Sequence, residues 1–409
     1  MDLHLQSSTT KLSQNIKITG SKSESNRALL LQALYPNISI ENLSNSDDSR
    51  VMEEGLKVEQ GEVDIHHAGT AMRFLTAFFA TQAGREVTLT GSKRMKERPV
   101  KILVEALRQL GADVEYELNE GYPPLNIKGK KITKHKVSLA ANVSSQYISA
   151  LLLVAPTLEN GLELTLEGKI TSVPYIKMTL ALLNEIGVQT RFEGNVITVA
   201  PMTENPKKTI VVESDWSSAS YFYSIVALCD VGSEISLSSY KENSLQGDSV
   251  LQEIYKQFGV ETSFDGHTIS LKKTAEADLN KTIKIDLANA PDIAQTISVS
   301  CFGLGLKCEL SGLHTLKIKE TDRLEALKTE LSKLGADIKV TDKELFLEPS
   351  KTINEKVGID TYNDHRMAMA FAPLALRAPI VINDAEVVSK SYPDFWKDME
   401  ALEITVENL

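Results

Sequence analysis

LVEALRQLGADVEY (residues 103–116), TLALLNEIGVQTRF (179–192), VLQEIYKQFGVETSF (250–264) and EALKTELSKLGADIKV (325–340) are four copies of one pattern, and they decide the fold. Their glycines, Gly111, Gly187, Gly259 and Gly335, stand 76, 72 and 76 residues apart. A large apolar residue stands one before each glycine (Leu110, Ile186, Phe258, Leu334) and another four before it (Leu107, Leu183, Tyr255, Leu331). That spacing is one face of an amphipathic helix. The glycine suits the left-handed position that ends a helix, and the alternating residues after it read as a strand. DSRVMEEGLKVEQ (48–60) reads as a shortened first copy, and FWKDMEALEITVE (395–407) as a last copy without its glycine. Six α/β units, three and three, predict two similar domains. The polar loop PMTENPKK (201–208) and the junction VVESDWSSASYF (211–222) place a crossover near residue 213. No flexible spacer separates the halves, which predicts short crossings and a ligand cleft between the two domains.

Composition narrows the function. The chain has 409 residues, 42% apolar and 24% charged, as expected of a folded globular enzyme of two domains rather than a disordered one. A net charge of −11 gives nucleic acid and anionic lipid no broad basic surface to meet. The sequence offers no apolar run of membrane-spanning length and no signal-peptide pattern. Its cysteines, Cys229, Cys301 and Cys308, lack metal-ligand spacing, which suits a reducing cytosol.

The informative basic residues gather where polar stretches open helices. GSKSESNR (20–27), between NIKIT and ALLLQAL, joins Lys22 and Arg27 to small hydroxyls at a helix start, a setting for phosphate or carboxylate. It equally reads as a serine-rich cap with solvated charges, and it is not a complete nucleotide-binding P-loop. HAGTAMR (67–73), KRMKERP (93–99) and VSSQY (143–147) repeat the arrangement in the first half. KIKETDR (317–323) and TYNDHR (361–366) do so in the second, with acid, base and cation groups together. Each alone indicates an anion site. Their succession suits two anionic substrates better than scattered surface charge. His66-His67 and Asn363-Asp364-His365 lack ligand spacing, so no metal site is expected, and no GxSxG elbow supports a serine hydrolase.

GSKSESNRALLLQAL, HAGTAMRFLTA, GSKRMKERP, VSSQYISALLL, IKETDRLEALKTEL, TYNDHRMAMA and SKSYPDFW together resemble the signature segments of the 5-enolpyruvylshikimate-3-phosphate synthases, from about residue 16 to about residue 397. The resemblance implies an α/β fold of two similar domains, each of three βαβαββ-type units in an inside-out α/β barrel. The expected domains are residues 20–213, mainly the shikimate 3-phosphate side, and residues 1–19 with 214–409. It implies transfer of the enolpyruvyl group of phosphoenolpyruvate to the 5-hydroxyl of shikimate 3-phosphate in the shikimate pathway. No cofactor is implied. The protein is expected to be a cytoplasmic monomer acting on small molecules only.

By matching motif positions, the resemblance implies that phosphoenolpyruvate meets Lys22, Gly69, Thr70, Arg98, Gln146, Arg323, Arg366 and Lys390. Shikimate 3-phosphate would meet Lys22, Ser23, Arg27, Ser144, Ser145, Gln146, Ser172, Tyr175, Asp292 and Lys319. Asp292, Glu320 and Lys22 are the expected proton-transfer groups. Four features depart from the usual pattern: His67 and Thr315 where Asn is common, Phe74 where Pro is common, and a short stretch between Met52 and His67. The UDP-N-acetylglucosamine enolpyruvyl transferases share the fold and the phosphoenolpyruvate chemistry. They usually carry Cys or Asp beside the RP motif, where LTGSKRMKERP (89–99) has no cysteine. A catalytically silent binding protein on the same fold is a third reading, which loss of Lys22, Asp292, Glu320 or Lys390 would have favoured.

Overall fold

The computed structural model of the chain describes residues 1–140, 144–168, 170 and 173–409. They form two compact units, Gly20–Val212 and Met1–Thr19 with Glu213–Leu409. Each has its own apolar core.

Five of the six sheets share one wiring. Gln60–Asp64 runs into the helix Gly69–Thr81 and returns as Glu86–Thr90, parallel to the first strand. The helix Lys101–Leu110 then leads to Asp113–Tyr116 at the far edge, and Leu125–Lys128 turns back to fill the gap between. Lys136–Ala140, Leu162–Glu167, Val196–Val199 and Thr190–Glu193 repeat this order across a second sheet. In the other unit Thr282–Asp286, Lys307–Ser311, Leu345–Leu347 and Ile338–Val340 do the same.

The remaining two four-stranded sheets recruit the chain start. Ser13–Ile16 lies parallel to Glu234–Leu237, beyond which come Thr268–Lys273 and Val260–Asp265. Leu3–Gln6 fills the gap between Ile380–Ile382 and Thr405–Asn408, and Val357–Ile359 is the outer strand. The sixth sheet has two strands, Ile38–Glu41 parallel to Lys208–Val211. This is the module with the short stretch between Met52 and His67, and it lacks the closing hairpin. No sheet closes into a barrel among the described residues, and the two units of mixed α/β sheets agree with the two-domain α/β fold that the resemblance implies. Each four-stranded sheet is completed by its own hairpin or a borrowed strand, and no described sheet pairs with another.

The repeat glycines do what their spacing predicts. Gly111, Gly187, Gly259 and Gly335 have φ of +102°, +101°, +75° and +100°, a region that a β-carbon disfavours. In the last copy Glu403 takes the left-handed position at φ +60°. Gly55 in the first copy serves otherwise, inside the helix Asp47–Lys57, where a β-carbon would come within 2.6 Å of Leu75 Cδ1.

Some of the helices that start at polar stretches are buried on nearly every side. All 13 residues of Trp216–Leu228 are buried, as are 12 of the 13 in Gly69–Thr81, so these helices are core rather than surface elements. Hydroxyls in such helices bond back along the helix, Thr76 to the Met72 carbonyl and, in the buried helix Ala294–Leu304, Ser300 to that of Thr296. No helix of the described residues is long and apolar enough to cross a membrane.

Candidate active site

In the unit Gly20–Val212, three buried helices, Lys22–Leu34, Gly69–Thr81 and Ser145–Val154, begin at predicted site residues. Gln146 Nε2 donates to Thr70 Oγ1 at 3.0 Å, joining two of them. Ser144 caps the third helix through the Gln146 N–H, and Ser145 is buried in its first turn. The Arg98 guanidinium lies over Gly69, where a β-carbon would sit 2.8 Å from Nη1. Its charge and burial bring the neighbouring Arg73 guanidinium down, with burial the larger cause. Two cations beside helix N–H groups make this end of the unit receptive to an anion.

Arg27, expected at shikimate 3-phosphate, is buried among protein partners. Its Nε donates to Thr179 Oγ1 at 2.8 Å, Nη2 to Ser149 Oγ at 2.9 Å and Nη1 to the Ser23 carbonyl at 2.6 Å. The guanidinium carbon lies 5.4 Å from the ring centre of Phe74 and 5.9 Å from that of Tyr175. Burial lowers its pKa to about 10, which leaves it charged at neutral pH. Phe74, one of the departures, is thus a platform under this cation. Lys22 meets Asp48 at 3.1 Å, a partner the sequence did not announce. Ser172 lies outside the described residues.

The other unit gathers Asp292, Lys319, Glu320, Arg323 and Arg366 around one buried guanidinium. Arg323 donates through Nε to Asp364 at 2.7 Å, through Nη1 to Asp292 at 2.8 Å and through Nη2 to Glu320 at 2.8 Å. A longer bond joins Nη2 to Asp364 at 3.4 Å, leaving at most one N–H for any ligand. Burial opposes its charge, but Asp364, Glu320 and Asp292 outweigh that and raise its pKa. Arg323 therefore organises three acids more than it offers an anion site. Asp364 also caps the helix His365–Phe371 by accepting from the Arg366 N–H.

Asp292 accepts charge from three sides, with Lys319 and Arg366 each 3.4 Å away in addition to Arg323. Burial would raise its pKa, but Arg366, Lys319 and Arg323 hold it well below the usual carboxylate range. Arg366 Nη2 also reaches Ser217 Oγ at 3.3 Å, and that hydroxyl donates to Asp248. Lys390 Nζ donates to both the carbonyl and the side-chain oxygen of Asn363 at 2.7 Å.

Asp248, Ser217 and Asp48 were not singled out by sequence reasoning, and Asp364 was named only as part of the TYNDHR motif, with no role of its own. The signal available was an acid or hydroxyl beside the start of an unusually apolar helix or a glycine turn, as in QGDSV and SDWSSA. Asp248 is pushed up to about 7, chiefly by burial, then by Asp292, with Asp215 adding to it and Arg366 and Ser217 opposing. From about pH 4 to 7 the folded chain holds a proton that the unfolded chain has released, so this group's contribution to stability falls as pH rises through that window. Asp248→Asn removes this slope. Urea denaturation should show the variant gaining on the wild type between pH 5 and pH 8, and an unchanged difference would disprove the titration.

Among the described residues no group of three or more His, Cys, Asp or Glu is arranged to hold a metal ion. The chain matches the family EPSP synthase (3-phosphoshikimate 1-carboxyvinyltransferase) over residues 56–399. A Bacteroides fragilis protein named 3-phosphoshikimate 1-carboxyvinyltransferase is 43% identical, covering 97% of each chain. A protein of that name from Shewanella halifaxensis is 37% identical over 96% of this chain and 97% of its own. The solved EPSP synthase of Acinetobacter baumannii superposes with a TM-score of 0.79 at 20% identity over 100% of both chains, a likeness of fold. With the repeated modules and the charged helix starts, these matches make the chain a member of the EPSP synthase family.

Proposed function

We propose that the chain transfers the carboxyvinyl group of phosphoenolpyruvate to the 5-hydroxyl of shikimate 3-phosphate, as its relatives' name describes. The observation that carries this reading is the Asp292 carboxylate held among Arg323, Arg366 and Lys319, with Glu320 on the same guanidinium. Two carboxylates able to carry protons thus stand beside the cations Arg366 and Lys319, which supports the reading.

In this scheme a proton adds to the methylene carbon of phosphoenolpyruvate while the 5-hydroxyl oxygen bonds to the adjacent carbon. The hydroxyl proton leaves to a base. The tetrahedral adduct then loses phosphate and a proton from its new methyl group, which restores the double bond. Asp292 takes the hydroxyl proton, and Glu320 or Lys22 serves the carbon. Free Asp292 is a weak base because cations hold it down. A substrate carboxylate or phosphate at Arg366 would offset one of those cations and raise the pKa of Asp292 when it is needed. Lys390 and Arg98 supply further charge to phosphoenolpyruvate. Ser23, Arg27, Ser144, Ser145, Gln146, Ser172 and Tyr175 serve the shikimate 3-phosphate side, with Arg27 acting from beneath through Tyr175. The same reading has the protein working as a cytoplasmic monomer.

Phosphate release on mixing phosphoenolpyruvate with shikimate 3-phosphate tests the reading. Activity with that pair, undiminished by a chelator, is expected. Release only with UDP-N-acetylglucosamine would assign the rival transferase, and none with either would leave a binding protein. Gly69→Ala is expected to displace the Arg98 guanidinium, the flexible end of a side chain, rather than unfold the helix. KM for phosphoenolpyruvate should rise about tenfold or more. An unchanged KM would separate Arg98 from that substrate.

A further inference from the structure

The turn between Ile359 and His365 holds a shape its residues disfavour. Tyr362 and Asn363 are consecutive left-handed residues, at φ +54° and +57°, and neither is glycine. Surroundings must over-determine such a turn for it to persist. One helix, Arg323–Lys333, holds it at both ends. Arg323 forks onto Asp364 at the far end of the turn. Two helical turns later, fully buried Glu330 accepts from the Tyr362 hydroxyl at 2.6 Å and the Asp360 N–H at 3.1 Å. Lys333 closes the near end by bonding Glu330 at 2.8 Å and Asp360 at 2.7 Å.

What this clamp presents is Asn363. In the left-handed conformation its backbone and side-chain oxygens both face the Lys390 ammonium, 2.7 Å from each. Lys390 ends the short 3-10 helix Ala385–Lys390 and is half-buried. A lysine is a flexible point charge, and fixing its place takes acceptors that are themselves fixed.

We propose that Glu330 and Tyr362 are positioning residues, which lock the Tyr362–Asn363 turn so that Asn363 aims the Lys390 ammonium at a substrate anion. The inference rests on the reading of Lys390 as a phosphoenolpyruvate contact. Glu330 itself touches no substrate. It acts through the turn.

Tyr362→Phe removes one hydroxyl from a partly exposed ring and should leave the chain folded. Glu330→Gln is the stronger variant. Both are expected to raise KM for phosphoenolpyruvate about tenfold, with KM for shikimate 3-phosphate within about twofold. Asn363→Gly adopts the left-handed shape without strain and keeps the carbonyl acceptor. In that background Glu330→Gln should cost less than it does in the wild type. A second readout does not need turnover: acylation of lysines by acetic anhydride, followed by mass spectrometry of the intact-fold protein. Tyr362→Phe should increase labelling of Lys390 severalfold while leaving Lys319 unchanged. Wild-type Lys390 labelling equal to that in both variants would overturn the clamp. So would equal rises in both KM values. An inactive wild type would instead sink the functional reading, and the labelling would still decide the clamp.

Discussion

Replacing Arg323 by leucine is expected to destabilise its unit by about 3–5 kcal/mol, the cost of breaking a buried ion pair from one side. The side chain is 2% exposed, and the partners Asp364, Asp292 and Glu320 are 0%, 17% and 26% exposed. Leucine would strand Asp364 with no cation of comparable reach. Asp364 is also a helix cap and one end of the strained turn, so the damage would spread to His365–Phe371. Lysine should recover only part of the loss, since one ammonium cannot reproduce a fork to three carboxylates. Urea unfolding of the three proteins measures this. A loss under about 1 kcal/mol for leucine would show that the acids find other partners and that the network is not what holds these helix starts.

Asp292→Asn should lower turnover by about 10²–10⁴-fold while changing shikimate 3-phosphate affinity far less. The amide keeps the size and one acceptor but cannot take a proton. Steady-state kinetics with a separate binding titration distinguishes the two effects. The depressed pKa has a consequence of definite sign: free-enzyme Asp292 is ionised throughout the neutral range, so it should contribute no step to the pH profile of kcat/KM between pH 5 and 9. Near-normal turnover in the variant would remove Asp292 from acid–base work.

The local grammar of the fold was legible in the sequence, because helix period, glycine stop and strand alternation are written in neighbouring residues. Four glycines and their apolar partners located four modules, and the short stretch after Met52 marked the module without a hairpin. Two features escaped. Nothing in LHLQ says that it sits beside Ile380–Ile382, since strand partners nearly the whole chain apart leave no local trace. Glu403 can end a helix where glycine is usual, because surroundings can hold a left-handed residue that its own propensity disfavours. The site divides the same way. Motifs announced Arg323, Asp292, Glu320 and Lys390, but not that Asp364 and Asn363 would hold two of them, 41 and 27 residues away. Arg27 was read as a ligand contact, yet much of its bonding capacity is spent on Thr179, Ser149 and the Ser23 carbonyl. Charge in a motif shows that a cation is needed, not which of its hydrogens remain available.

The strand Leu3–Gln6, closed on both sides by segments from the other end of the chain, sets an order of events during synthesis. Residues 20–212 leave the ribosome as an uninterrupted stretch with a full set of partners, so that unit can condense early. The N-terminal residues emerge before it and must wait, as an unpaired edge, until Ile380–Ile382 and Thr405–Asn408 arrive. Such a strand is a standing invitation to wrong pairing. Leu3 and Leu5 alternate with polar His4 and Gln6, and the segment is only four residues long, which limits what it can recruit while it waits. The long loop that these pairings close predicts that this unit assembles more slowly than the other.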